Sequence, residues 1–128
     1  LYSNCALFVL PSHTEGLSLS LLEALSLGAK CLVSDIPENT TVTADYGTEF
    51  RTEDTDSLAR ALERDTARPL TPEQREAQVD YVHTNFDYDV MLDRYEEVYH
   101  HVIGDPLKEI PSQAKAHRKA AAAQGGAA

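Results

Sequence analysis

The chain enters an unbroken apolar run, Cys5-Ala6-Leu7-Phe8-Val9-Leu10, which Pro11-Ser12 stops. Six apolar residues without alternation predict a strand covered on both faces, as in a parallel sheet flanked by helices. The polar stretch from Pro11 to Gly16 reads as a loop. A leucine-rich segment from about Ser18 to Leu27 predicts a helix, and Gly28 stands where a left-handed C-cap is usual. Lys30 to Ser34 predicts a second strand, followed by a loop from Asp35 to Asn39. Strand, loop, helix, glycine and strand within about thirty residues form a βαβ unit, whose parallel strands should be joined by a right-handed crossover.

Beyond Asn39 the pattern weakens. A short helix is predicted over Glu38 to Thr43 and a small strand around Phe50. A helix from Ser57 to about Asp65 follows, with Asp56 or Ser57 as N-cap and Leu58, Ala61 and Leu62 on one face. Thr71-Pro72-Glu73-Gln74 carries the cap, the N1 proline and the N3 glutamine of a capping box, opening a helix to about Thr84. The last helix is predicted from about Tyr88 to Ile103, with Met91, Tyr95, Val98 and Val102 as one apolar stripe. Gly104, Pro106 and Pro111 end it. Residues 105–128 read as a disordered, lysine- and alanine-rich tail.

Composition narrows the partners. With 11 basic and 21 acidic side chains the net charge is −10, which argues against nucleic acid or an anionic membrane surface as a general partner. No run approaches the roughly 18 apolar residues of a membrane span. Cys5 and Cys31 sit in apolar runs, as reduced buried thiols of a cytoplasmic protein would. The chain starts Leu1-Tyr2-Ser3-Asn4 and meets its first strand at once, so it is expected to be part of a longer protein.

Candidate chemistry concentrates in Thr14-Glu15-Gly16-Leu17-Ser18-Leu19-Ser20-Leu21-Leu22-Glu23-Ala24. Glu15 falls in the loop at the carboxyl end of a strand, where open α/β sheets bind ligands. Glu23 falls on the helix beginning there, and that helix's free first-turn amides suit a phosphate. Carboxylates beside such a site accept hydrogen bonds from sugar hydroxyls, each contributing about 1.5–3 kcal/mol. Sugar, phosphate and ribose together fit. The same residues are equally compatible with a solvated helix stripe, since Ser20, Glu23 and Ser26 recur at steps of three, and with Glu15 as an ordinary loop acid.

Other candidates point elsewhere. Asp54-Thr55-Asp56 and Asp87-Tyr88-Asp89 spell Asp-x-Asp, but each precedes a predicted helix, where acids cap and complement the dipole. His13 adjoins the loop of Glu15 and reads as exposed. His100 and His101 are adjacent and face different sides of a helix, which does not suit a shared metal. No dinucleotide fingerprint, P-loop or nucleophile elbow is present.

Tyr2 to Ser12, then Glu15 to Glu23, then Gly28 to Asp35-Ile36-Pro37, closely resembles the donor domain of family 4 (group 1) glycosyltransferases, whose signature is Glu-x7-Glu. The match is strong over roughly residues 1–65. Tyr95 and Tyr99 resemble the family's closing helix more weakly. The resemblance implies a Rossmann-like parallel sheet with flanking helices, of which residues 1–104 are the C-terminal part in a GT-B enzyme of two facing domains. It implies transfer from a nucleotide-diphosphate sugar with retention and without a metal cofactor. Glu15 would be the catalytic-site residue touching the transferred sugar, and Glu23 would hold the ribose. Backbone around Gly16, Leu17, Ser18 and Leu19 would meet the sugar and diphosphate. Ser18 departs from the glycine many relatives have there.

Lys30 is the one lysine or arginine in the first fifty residues. In the resembled family an arginine and a lysine from an earlier loop support the diphosphate. A sugar, lipid or glycan acceptor would be held mainly by an N-terminal domain lying outside this chain. The resemblance thus leads to a cytoplasmic enzyme, at the inner face of a membrane in its longer form, of which the present chain alone is inactive and self-associates through an open sheet edge. A nucleotide-sugar epimerase of the same fold, or a non-catalytic nucleotide-binding or scaffold domain, is the alternative.

Overall fold

The computed structural model describes residues 1–103, so the predicted tail lies outside the described residues. Three parallel strands form a sheet in the order β1-β2-β3, with β1 at Phe8–Leu10, β2 at Cys31–Ser34 and β3 at Gly47–Phe50. The register pairs Phe8 with Cys31 and Leu10 with Val33 on one side of β2, and Cys31 with Gly47 and Ser34 with Phe50 on the other. Helices α1 (Leu19–Ser26) and α2 (Pro37–Thr43) connect the strands, and α3 (Thr55–Thr66) and α4 (Pro72–Phe86) follow. This is the Rossmann-like α/β arrangement expected from the sequence.

The sheet's middle strand is the centre of the core. All four residues of β2 are buried. Leu32 packs with Phe50 and Ala61, and Leu7, Val9, Leu58 and Leu62 close around them. Thus the predicted face of α3 is the face that meets the sheet. By strand alternation Cys31 and Val33 point to the opposite side. There α1 buries Leu21, Ala24 and Leu25 at i, i+3 and i+4. Full burial of a leucine is worth about 1.5–3 kcal/mol.

Glutamine from α4 locks the end of α1. Gln78, 1% exposed, donates Nε2 to the carbonyls of Leu25 and Ala29, both at 2.9 Å. Arg75 reaches the Gly28 carbonyl at 2.9 Å. These bonds satisfy carbonyls that a helix C-terminus leaves without intrahelical partners. Gly28 has φ +69°, the left-handed cap the sequence predicts. Gly47 is demanded by packing: a Cβ there would lie 2.6 Å from Thr43 Cβ.

Boundaries differ from expectation, chiefly at β1 and α3. The apolar run from Cys5 is strand only from Phe8, because β2 itself begins at Cys31 and offers earlier residues no partner; the Phe8 amide takes the Lys30 carbonyl at 2.8 Å. Tyr2–Asn4 forms a 3-10 turn instead, and the Cys5 amide and thiol both turn back to the Tyr2 carbonyl. β1 is half-buried rather than covered on both faces, and Cys5 is only partly buried. The N-cap of α3 is Asp54, not Asp56 or Ser57: its carboxylate accepts the Ser57 amide at 2.8 Å. The capping box at Thr71 is present, with Gln74 Oε1 accepting from the Thr71 amide at 2.9 Å and Thr71 Oγ1 from the Gln74 amide at 3.2 Å.

The chain divides into two compact units at His83/Thr84. In the second, α5 spans Tyr88–Ile103 as predicted. Its stripe of Met91, Tyr95, Val98 and Val102 stays exposed, and Val90 is the buried residue of that helix. No helix of the described residues is long and apolar enough to cross a membrane.

Candidate functional site

The loop from Pro11 to Ser18 leaves the carboxyl end of β1 and feeds α1. Glu15 is half-buried in it, and its Oε1 accepts the Ser12 hydroxyl at 2.5 Å. Glu23 is exposed on α1, and its carboxylate takes no hydrogen bond or ion pair from the described residues. Ser18 is the N-cap residue and is buried, yet it makes no side-chain cap; its hydroxyl meets that of Ser20 at 3.2 Å. The first-turn amides of α1 are therefore not taken by a cap. Leu17 and Leu19 are exposed beside them, at 55% and 70%. A Cβ added to Gly16 meets nothing within 4 Å, so packing within the protein does not require glycine there.

Lys30 cannot serve an anionic ligand. It is 8% exposed, and its ammonium donates to the carbonyls of Asp65 and Arg68 at 3.1 and 2.6 Å and pairs with Asp65 Oδ1 at 3.1 Å. Asp65 also accepts from Thr48 Oγ1 at 2.7 Å and from Arg64 Nη2 at 2.7 Å. Burial pushes the Asp65 carboxyl up, but bonds from Arg64, Thr48 and Lys30, with the lysine charge, outweigh it and bring it down to about 2. This cluster is structural. Burial, reinforced by Cys5, pushes the Cys31 thiol up to about 12, so it stays protonated and unreactive near neutral pH.

The structure adds residues that the sequence did not single out. Asp35 follows β2, and its Oδ1 takes both the amide and the hydroxyl of Thr52, at 2.8 and 2.6 Å. The Thr52 side chain first, and its amide second, hold the Asp35 carboxyl below its ordinary range. The clamp joins the loops after β2 and β3. Near it lies a cavity of about 180 Å³, lined by Pro11, Ser34, Phe50, Thr52 and Leu58, with His13 and Glu53 among its walls. His13 is exposed, as expected, and stands 3.6 Å from Glu53. Glu53 holds the left-handed conformation at φ +61°, a cost of about 1–3 kcal/mol that clusters at functional sites and tight turns. The signal in the sequence was a serine ending a buried apolar strand, followed at once by an acid.

Asp54 serves as a cap, as expected of the first Asp-x-Asp. Among the described residues no group of three or more His, Cys, Asp or Glu is placed to hold a metal ion. The sequence model of the family described as "Glycosyl transferases group 1" matches residues 1–82. No curated protein matches the chain.

Proposed function

The chain belongs to the group 1 glycosyl transferases, and we propose that it is the C-terminal part of the donor-binding domain of a retaining, family 4 GT-B enzyme. Membership means sugar transfer, with a nucleotide-sugar donor and an acceptor. In the reaction the bond from the anomeric carbon to the diphosphate breaks, a bond to the acceptor oxygen forms, and the acceptor hydroxyl loses its proton.

Roles follow from the loop and helix. The first-turn amides of α1, left without a side-chain cap, meet the diphosphate. Gly16, whose missing side chain the fold does not require, lets the loop approach the sugar, with the backbone of Leu17, Ser18 and Leu19 beside it. Glu15 contacts hydroxyls of the transferred sugar, and Glu23, exposed and unpaired among the described residues, holds the ribose. The observation that carries this reading is an uncapped helix start with one acid in the loop before it and another on the helix, inside the stretch that the family model matches. Lys30, committed to Asp65, takes no part in stabilising the leaving diphosphate, which needs cations from elsewhere. The acceptor is a sugar, lipid or glycan, held mainly by the other domain, in the cytoplasm and without a metal cofactor.

In the intact enzyme Glu23→Ala is expected to weaken nucleotide-sugar binding by about 1.5–3 kcal/mol, about 10- to 150-fold. Glu15→Ala should weaken the nucleotide sugar but not the bare nucleoside diphosphate. Calorimetry showing unchanged donor affinity for Glu23→Ala would remove the ribose role. Isomerised sugar formed without any acceptor would favour an epimerase.

A further inference from the structure

A line of hydrogen bonds runs from the core to the Glu15 carboxylate. Asn39 on α2 is 1% exposed and donates Nδ2 to Ser34 Oγ at 3.0 Å. Ser34, also 1% exposed at the end of β2, gives its hydroxyl proton to the Ser12 carbonyl at 2.6 Å. The Ser12 hydroxyl then donates to Glu15 Oε1. Proton counting fixes the direction. A serine has one hydroxyl hydrogen, and with it directed at Ser12 the Ser34 oxygen accepts only from the amide nitrogen of Asn39. That orientation leaves Asn39 Oδ1 buried without a partner among the described residues. Leucine, of similar volume, would avoid such an orphan, so packing does not account for an amide here. Its donation toward Ser34 does.

We propose that Asn39 and Ser34 are positioning residues: through Ser12 they fix the Glu15 carboxylate where the transferred sugar sits. The proposal rests on the assignment of Glu15 to that sugar. Both are buried residues on regular elements, whereas the loop from Pro11 to Ser18 has no helix or strand of its own. Among the described residues, the Ser34 hydroxyl is the one side-chain hydrogen bond that reaches this loop from the core; the contact of His13 with Glu53 is exposed. Rigid groups behind a loop acid are what holds a contacting carboxylate to a small range of positions.

The test uses Asn39→Leu, Ser34→Ala and Ser12→Ala in the intact enzyme, with Ser12→Ala as the variant least able to disturb the core. Amide relaxation by NMR reads order in Ser12 to Gly16, and titration reads the affinity ratio of a nucleotide sugar to its bare nucleoside diphosphate. Expected are increased loop motion in all three variants, with unchanged order elsewhere in folded protein, and a ratio lowered several-fold. Combining Ser12→Ala with Glu15→Gln should lower the ratio no further than Glu15→Gln alone, because both act on one contact. If loop order is unchanged in Ser34→Ala and Ser12→Ala, the relay is overturned, whatever the ligands do. If Glu15→Gln lowers the ratio and the three relay variants leave it intact, the positioning role is wrong and the assignment of Glu15 survives. If Glu15→Gln itself leaves the ratio intact, the sugar role of Glu15 fails and the positioning role fails with it.

Discussion

Asp65→Asn should be among the most destabilising isosteric changes this chain can carry. The side chain is 3% exposed and receives Lys30, Thr48 and Arg64 together. Asparagine keeps the shape but removes the charge and turns one acceptor into a donor. The Lys30 ammonium would then be buried without its counter-charge, among neutral oxygens that include the carbonyls of Asp65 and Arg68. Breaking a buried pair by removing one partner costs about 3–5 kcal/mol. Two remaining carbonyls moderate this, so about 3 kcal/mol is expected, a large part of the 5–15 kcal/mol typical of a domain. Lys30→Met should cost less, because Asp65 retains Thr48 and Arg64, and the double variant should cost less than the sum of the two. Urea unfolding followed by circular dichroism reads all three. The same cluster sets the acid limb. The Asp65 carboxyl is lowered from 3.8 to about 2, so its stabilising share is present above pH 4 and is lost as pH falls toward 2. At 1.36 kcal/mol per unit that share is about 2 kcal/mol. A loss below about 1 kcal/mol in Asp65→Asn, with the acid limb unchanged, would refute the account of this cluster.

Gly47→Ala should destabilise by about 1–3 kcal/mol, since its methyl would overlap buried Thr43; wild-type stability in urea would contradict the packing. Gln78→Leu removes two hydrogen bonds onto the Leu25 and Ala29 carbonyls, which keep the Gly28 amide and the Cys31 thiol, and should cost about 1–3 kcal/mol, read in the same titration, with a loss under about 0.5 kcal/mol counting against the lock on α1. The 128-residue chain is expected to self-associate, because β1 pairs on one side only among the described residues. Light scattering from a monodisperse monomer at high concentration would contradict that.

The βαβ unit was legible in the sequence because its signals agree: the apolar run, the leucine periodicity, Gly28 and the second strand each favour the same elements. The end of α4 at Thr71 and Gln74 was read from its capping box, whereas α3 starts at Thr55 rather than Ser57, with Asp54 as its cap. The length of β1 was misread because strand extent depends on its partner, and β2 begins only at Cys31. Lys30 carried no sign of its fate, since its partner Asp65 lies thirty-five positions away on a different element. The motif acids were legible as residues. The support behind Glu15 was not, because Ser12, Ser34 and Asn39 meet only through the fold.

The central claim, that a nucleotide-sugar donor binds on the loop and first turns of α1, is tested most directly by amide chemical shifts. The 15N-labelled intact enzyme is titrated with a panel of nucleotide sugars into the millimolar range, where binding free energies near 4 kcal/mol remain visible. The account predicts perturbations centred on Thr14 to Glu23 for at least one donor, strongly reduced in Glu23→Ala. Shifts centred on the loops after β2 and β3 instead, or shifts identical in Glu23→Ala, would contradict it.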